Sequence, residues 1–369
     1  MRIESVDVYH VAMPMKAVWR TAFSEMSSIH SILVRVVADG AEGWAEAAPY
    51  DAPNYCPEWC DSAFYLLRDW LAPGIVGNDV PDTVSLQELM RPYKGNPFAK
   101  SALDVAWWDA KARHEGEPLW RMIGGTSAEV EVGADISVQD NIDKLLQDMG
   151  KAVTAGFKRT KLKFRPGCKA EMIRDVRQAF PHAVVHIDCN SGFTLADLPL
   201  FRELDECDLK MIEQPLAYDD LIDHAKLQQE LKTPLCLDES IVSPDKARKA
   251  IEIGACRWVN IKVGRVGGLT SALAINRLCE ENNVPCWVGG MLESAVGQGP
   301  SLALATLSNM QYPADIFPSA RFYENDLGEP PVQLNGTSRI KCPDAPGHGF
   351  VPNAERLLAA TLKHARVHA

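Results

Sequence analysis

The chain has 369 residues, more than one hydrophobic core usually fills, so two domains are the natural expectation. Its composition, 46% hydrophobic and 24% charged, is that of a globular protein, and a formal charge of −11 argues against nucleic acid or an anionic membrane as partner. The N-terminal MRIESVDVYHVAMP alternates like a strand without the apolar core of a signal peptide, and no run approaches the roughly 20 apolar residues of a membrane span, so a cytoplasmic protein is expected.

The first third of the chain predicts a small α+β unit. Residues 1–50 hold strand-like segments, IESVDVYHV and HSILVRVVADGAEGWAEAA, whose short glycine turns are typical of an antiparallel meander. From about residue 57 to 125 the pattern becomes helical, with NPFAKSALDVAWWDAKARHEGEPLWRMIGG expected to end at its Gly-Gly pair. Its tryptophans stand at helical spacing, which favours core packing over a stacking platform.

After residue 128 short β-rich runs alternate with helix-like stretches. The runs are EVEVGADIS, KRTKLKF, AVVHIDCN, LKMIEQP, TPLCLDES, CRWVNIKV, VPCWVGGM and, more weakly, YPADIFPS. Eight strands joined by helical crossovers predict an α/β fold, a (β/α)8-type TIM-like barrel. The alternative is a doubly wound sheet, which usually has fewer units and carries a glycine loop after its first strand that is missing here.

The predicted domains are an N-terminal α+β capping domain at 1–127, the barrel at 128–325 and a C-terminal segment at 326–369. That last segment is rich in turn residues and is expected to return to the N-terminal meander.

Charged residues recur at the ends of five consecutive runs. They are Lys163, Asp188, Glu213, Asp238 and Lys262, at steps of 25, 25, 25 and 24 residues. This is about the length of one strand, loop and helix, so each charge occupies the same place in its unit. Barrel chemistry is built at the C-terminal ends of the strands, where all five fall.

The three acids predict a metal site. Asp188, Glu213 and Asp238 follow consecutive strands, and carboxylates brought together would repel one another unless a cation held them. All-oxygen ligands favour Mg²⁺ first and Mn²⁺ second, and no organic cofactor is expected. Asn190 and Glu239, close to two of these acids, are expected to support the ligands from behind.

The lysines predict acid–base chemistry. Lys163 and Lys262 flank the acids and would face each other across the metal, and Lys161 shares a strand face with Lys163. A nearby cation and second lysine should lower a lysine pKa toward roughly 7–8, the range of a general base. The expected reaction removes a proton alpha to a carboxylate and gives a metal-stabilised enediolate. Any one of these residues alone could be a helix cap or a solvated charge. A non-catalytic binding barrel would be expected to lack one or more of the five charged residues, and all five are present.

The motifs KLK, IDCN, IEQP, LDES and NIKVGRVGG resemble those of the enolase superfamily, muconate-lactonizing enzyme subgroup. GWAEAA, GGMLES and ARFYENDL are most similar to the o-succinylbenzoate synthase / N-acylamino acid racemase family. The resemblance implies a cap built from both chain ends over a barrel. It also implies metal ligation by Asp188, Glu213 and Asp238, and catalysis by Lys163 and Lys262.

The resemblance also implies two reactions that share a first step. In o-succinylbenzoate synthesis, a lyase reaction of menaquinone biosynthesis, Lys163 would take the alpha proton, hydroxide would leave, and Lys262 would stabilise the enediolate. In N-succinylamino acid racemisation the two lysines would act as opposed bases. Arg265 matches a family arginine and would lower the pKa of Lys262; the alternative is a loop arginine that binds backbone carbonyls. Dipeptide epimerase and muconate cycloisomerase are further alternatives, and family members often form homo-oligomers.

The substrate is expected to be a small carboxylate. Candidate substrate contacts are Arg20, Phe23, Tyr55, Ser137, Arg265, Glu293 and Ser294. The segments at 18–26 and 49–55 look like the two loops that close such sites.

Overall fold

The structure is a computed structural model that describes residues 1–20, 25–139 and 141–369. The strands are β1 (Ile3–Arg20), β2 (Glu25–Ala38), β3 (Ala41–Ala47), β4 (Glu129–Glu131), β5 (Ala134–Ile136), β6 (Thr160–Lys163), β7 (Val185–Asp188), β8 (Ile212–Glu213), β9 (Leu235–Leu237), β10 (Trp258–Ile261), β11 (Cys286–Val288), β12 (Gly328–Glu329), β13 (Arg339–Lys341), β14 (Val351–Pro352) and β15 (Thr361–His368).

The chain also forms helices, and those between residues 142 and 305 alternate with the strands. The helices are α1 (Cys60–Leu66), α2 (Ala72–Ile75), α3 (Thr83–Met90), α4 (Pro97–Glu115), α5 (Leu119–Met122), α6 (Ile142–Thr154), α7 (Ala170–Ala179), α8 (Leu198–Leu204), α9 (Leu221–Glu230), α10 (Pro244–Glu252), α11 (Leu269–Glu281), α12 (Ala295–Ala305) and α13 (Ala354–Ala360). A π-helical turn at Leu67–Leu71 joins α1 to α2. No helix among the described residues is long and apolar enough to cross a membrane.

The N-terminal sheet is antiparallel, as predicted, with strand order β15-β1-β2-β3. The C-terminal strand β15 is therefore an edge strand of this sheet and pairs with β1, the first strand of the chain. Helix α4 lies against this sheet, and Gly43 permits the close approach, because a Cβ there would stand 2.0 Å from the carbonyl oxygen of Ala106. Helix α4 ends at Gly116, which adopts the left-handed conformation, so the predicted continuous helix up to the Gly-Gly pair is wrong.

The second sheet is parallel and follows the chain in order, β5 through β11. The curled sheet closes through residues 309–315. On one side the Gln311 and Asp315 amides donate to Cys286 and Val288 at 2.9 Å, and on the other the Ala314 amide donates to Glu131 at 2.8 Å. The predicted α/β barrel with an α+β cap is confirmed. The exact domain boundaries stay predictions.

Two of the eight predicted runs differ from the structure. EVEVGADIS is divided, since β4 pairs antiparallel with β13 and only β5 belongs to the seven-stranded parallel sheet. YPADIFPS forms no regular strand and contributes one isolated bridge instead, between Ala314 and Val132. The division falls at Gly133. A Cβ there would stand 2.1 Å from Nε of Arg159, so a glycine at this position leaves room for the buried arginine.

Candidate active site

The predicted charges lie together at the C-terminal edge of the parallel sheet. Lys163, Asp188 and Glu213 end β6, β7 and β8 and stand in direct cross-strand register. Glu213 pairs with Cys236, so Asp238 lies two residues further along its strand direction and one residue beyond β9. Lys262 likewise follows β10. Because β6 and β10 are four positions apart in the sheet order, Lys163 and Lys262 approach from opposite sides of the barrel.

Asp188 is held by the lysine that precedes it in the register. Its Oδ2 accepts from Nζ of Lys163 at 2.6 Å, and its Oδ1 accepts from the Asn190 amide at 3.0 Å. The Asn190 side chain links two other groups, because its Oδ1 accepts from Lys163 at 2.8 Å and its Nδ2 donates to Glu239 at 3.1 Å. Asn190 thus positions Lys163 and Glu239 around Asp188, consistent with the supporting role predicted for it.

Glu213 is fully buried and has a different set of partners. Asn260 Nδ2 donates to its Oε1 at 2.6 Å, and Nε2 of His186 lies 3.3 Å from its Oε2. Nζ of Lys161 lies 3.8 Å from the same oxygen and 3.6 Å from Oδ2 of Asp188. Lys161 is therefore the cation shared by two of the predicted ligands.

Asp238 carries the second lysine and an arginine. Its Oδ2 accepts from Nζ of Lys262 at 2.9 Å, and its Oδ1 accepts from Arg265. The Arg265 guanidinium also donates to the carbonyls of Ile241 at 3.0 Å and Asn260 at 2.6 Å. Arg265 is thus a buried brace for Asp238, with 1% of its surface exposed.

The charges shift the pKa values of these groups in definite directions. Burial acts to raise the pKa of Asp188, but Lys163 and Lys161 outweigh it and hold that pKa well below the usual range. Burial likewise raises the pKa of Asp238, and Arg265 and Lys262 more than reverse this. At Glu239, burial together with Asp238 and Asp188 raises the pKa to about 8. Asp188 and Asp238 therefore stay ionised, while Glu239 favours its neutral form.

The lowering of the lysine pKa was expected from a bound cation and a second lysine, and it stays a prediction; the protein groups alone act in the opposite direction at Lys262. Burial and Arg265 do act to lower it, but Asp238, Tyr55 and Glu239 outweigh them, so the pKa lies well above its ordinary value. The sequence argument counted the nearby positive charges but not the carboxylate in direct contact. The pKa of Lys161 is likewise raised well above its ordinary value, since four carboxylates outweigh the effect of burial.

The residues fit a hard divalent cation by their chemistry. Asp188, Glu213 and Asp238 offer oxygen ligands from neighbouring strands, and Oε2 of Glu239 is buried without a hydrogen-bond partner. Among the described residues, no group of three Asp, Glu, His or Cys side chains is already arranged around one point. Each carboxylate is turned toward its own lysine, arginine or amide, so an incoming cation would have to take over these contacts.

A small cavity of about 70 Å³ opens between the barrel and the cap. All three lysines and Asn190 line it from the barrel, and Tyr50 and Tyr55 line it from the cap. The Tyr55 hydroxyl accepts from Nζ of Lys262 at 3.3 Å. Tyr55 is thus a cap residue that contacts Lys262, one of the two predicted catalytic lysines.

The other predicted substrate contacts lie elsewhere. Ser137 follows β5, half-buried, and accepts from Gln139 at 3.4 Å. Ser294 caps α12, and its amide donates to the cap carboxylate Glu46 at 3.0 Å. Glu293 is buried, and burial together with Glu46 raises its pKa well above the usual range. Phe23 and the side chain of Arg20 lie outside the described residues. These substrate assignments stay predictions.

Sequence reasoning missed several charged or polar residues of the site. Asp315 and Asp135 line the cavity and contact Lys161. Both lie within runs that were recognised as strands, so a charge near the end of a buried run was the available signal. Asn260, which holds Glu213, points to the same face as Lys262, two residues later, and the period-2 rule could have identified it.

Fold and site together define a class: capped βα barrels whose acids and lysines come from the ends of successive strands. A model described as "Mandelate racemase / muconate lactonizing enzyme, N-terminal domain" matches residues 3–124, and one described as "Enolase C-terminal domain-like" matches residues 144–356. The chain is 44% identical to an o-succinylbenzoate synthase of Geobacillus kaustophilus, over 95% of this chain and 93% of the relative.

Two further comparisons agree. An N-succinylamino acid racemase of Thermus thermophilus is 41% identical, over 97% of both chains. A solved enolase superfamily structure from Listeria innocua, 35% identical, superposes with a TM-score of 0.96 over 100% of this chain and 99% of that one. The chain therefore belongs to the enolase superfamily, in the o-succinylbenzoate synthase / N-acylamino acid racemase family, which confirms the resemblance. Members of this superfamily depend on a divalent metal ion.

Proposed function

We propose that this chain is a Mg²⁺-dependent o-succinylbenzoate synthase that removes a proton alpha to a carboxylate and then eliminates hydroxide. The observation that carries the proposal is the convergence of Lys163 and Lys262, from opposite sides of the barrel, on one cavity beside Asp188 and Asp238. The identities of 35–44% to several o-succinylbenzoate synthases support the choice of reaction. The same proposal includes a place in menaquinone biosynthesis, a cytoplasmic location and a homo-oligomeric assembly.

Asp188, Glu213 and Asp238 would hold the metal ion, which would supply positive charge to stabilise the carboxylate side of the substrate. Lys163 takes the alpha proton in this proposal. Its side chain is 15% exposed, against 4% for Lys161 and 9% for Lys262, so it is the lysine most open to the cavity. Asn190 keeps Lys163 directed at the site through the 2.8 Å hydrogen bond. Lys262 places a second positive charge on the opposite face.

N-succinylamino acid racemase is the second candidate. It is favoured by the same opposed lysines, because racemisation requires a proton donor and a proton acceptor on opposite faces of one carbon. Lys262 would take the second role, and the Tyr55 hydroxyl would orient its ammonium from the cap. The racemase of Thermus thermophilus, at 41% identity, lies within the 35–44% range of the synthases.

Parallel assays of the purified chain distinguish these functions. Production of o-succinylbenzoate from its cyclohexadiene precursor and the loss of optical rotation of N-succinylamino acids are measured with Mg²⁺ and with EDTA. Exchange of the alpha proton with D₂O is followed by NMR, because it reports the shared first step. Exchange without elimination would assign the racemase alone. If the chain neither forms o-succinylbenzoate nor exchanges the alpha proton of N-succinylamino acids, both functions are excluded.

A further inference from the structure

Four buried charges form a closed ring beside the proposed metal ligands. We call Asp135, Arg159, Lys161 and Asp315 the charge ring. Arg159 donates to Asp135 at 2.7 Å and also to Asp315, while Lys161 donates to Asp315 and lies 3.3 Å from Asp135. Each carboxylate thus gives one oxygen to the arginine and the other to the lysine. Positive and negative charges alternate around the ring, and its formal charge is zero.

The ring is held rigidly by its surroundings. The Arg159 guanidinium also donates to the carbonyls of Pro313 at 3.0 Å and Ala134 at 3.2 Å. It lies over the Trp287 ring at 5.4 Å from the centroid. On the far side, the Asp315 amide donates to Val288 at 2.9 Å. With backbone and side chain both fixed, Asp315 has little freedom to follow Lys161 if that lysine shifts.

Lys161 is the member of the ring that reaches the metal ligands. Its Nζ lies 3.6 Å from Asp188 and 3.8 Å from Glu213, longer than its contacts with Asp315 and Asp135. A buried ammonium requires counter-charge, and it takes this from whichever carboxylates lie nearest. The ring supplies that counter-charge within itself. Asp188 and Glu213 are therefore not needed to neutralise Lys161 and stay available for a divalent cation.

We propose that Asp315 and Asp135 are positioning residues that hold the Lys161 ammonium away from Asp188 and Glu213. Without either carboxylate, Lys161 would move onto the metal ligands and compete with the cation. The inference rests on the proposed metal-dependent function. It adds to that function an explanation of how the Lys161 ammonium and a metal ion can occupy one small site.

A purely structural role gives a different expectation. The ring also joins residues 313–315 to β5 and β6, where the barrel closes. If it served only this purpose, losing a carboxylate would lower thermal stability but leave the metal affinity of the folded protein unchanged. Metal affinity therefore separates the two roles.

The test is Mg²⁺ titration calorimetry on purified Asp315→Asn and Asp135→Asn, with the melting temperature of each measured in parallel. We expect Mg²⁺ binding to weaken about 10-fold in either variant, as for coupled charges in contact. Asp135 is less buried than Asp315, so Asp135→Asn carries the test if Asp315→Asn does not fold. The matched control is Asp104→Asn, which removes another fully buried carboxylate, bonded to Thr270 and Gln87, and should change stability alone.

A double-mutant cycle shows whether the effect passes through Lys161. In a Lys161→Met background, either substitution should change Mg²⁺ affinity by less than about 3-fold. An equal loss in both backgrounds would overturn the proposal, as would unchanged affinity in folded Asp315→Asn or Asp135→Asn. If the wild-type chain itself binds no Mg²⁺, the proposed function fails instead, so the two failures are distinct.

Discussion

Glu58 connects the cap loop that carries Tyr55 to helix α4, and it gives a quantitative prediction for stability. Its carboxyl group accepts from the Phe98 amide at 2.8 Å and the Ala99 amide at 3.1 Å, at the first turn of the helix. Only 3% of the residue is exposed. Burial raises its pKa from 4.5 to about 7, although the two amides and Lys100 act to lower it.

A raised carboxyl pKa makes the folded state bind more protons than the unfolded state between these two values. Folding stability contributed by this group is therefore present at low pH and is lost as the pH rises through 7. The loss between pH 5 and pH 8 amounts to about 2.5 kcal/mol. Glu58→Gln cannot ionise, so it should remove this part of the pH dependence. The side-chain amide of this variant has one accepting oxygen instead of two. One backbone amide of α4 therefore loses its acceptor, which costs about 1 kcal/mol.

We therefore expect Glu58→Gln to be less stable than the wild type by about 1 kcal/mol at pH 5 and more stable by about 1.5 kcal/mol at pH 8. The free energy of unfolding is measured by urea denaturation at both pH values and between them. Glu88→Gln, at an exposed position on α3, is the control and should follow the wild-type profile. If the profiles of Glu58→Gln and the wild type are parallel, the burial argument is wrong.

Three further predictions concern the site. Lys163→Ala should reduce alpha-proton exchange with D₂O by about 10²–10⁴-fold, the usual contribution of a general base, with an unchanged circular dichroism spectrum; retained exchange would assign the base elsewhere. Lys262→Ala should abolish racemisation in an optical rotation assay, and a variant that still racemises would contradict opposed bases. Asp238→Asn should weaken Mg²⁺ binding at least about 10-fold by calorimetry, because it removes a charged ligand, and unchanged binding would exclude Asp238 from the metal site.

The spacing of charges along the chain was enough to predict that these side chains lie close together. Parallel strands of similar length place residues 25 apart at the same height, and the register of Lys163, Asp188 and Glu213 follows directly from this rule. The rule succeeded because it depends on the local repeat of strand and helix. It required no knowledge of which side chains meet.

The sequence was less informative wherever a non-local partner decides the outcome. The division of EVEVGADIS at Gly133 depends on Arg159, a residue that directly precedes another strand, β6. The pKa of Lys262 depends on its contact with Asp238, which no pattern along one chain segment reveals. The same holds for Asp315, since its two partners lie more than 150 residues away. Ion pairs inside a barrel form across its interior, so local periodicity does not predict them.

The balance of charge at the mouth of the barrel argues for a metal ion independently of the family. Outside the charge ring, Lys163, Lys262 and Arg265 face four carboxylates, of Asp188, Glu213, Asp238 and Glu239. Burial, together with the negative charges of Asp238 and Asp188, raises the pKa of Glu239. A lysine must first lose its own proton before it can accept one from a substrate, and this would remove one more positive charge. Base catalysis by either lysine would therefore be helped by positive charge from another source, and a divalent cation held by Asp188, Glu213 and Asp238, as proposed above, would supply it.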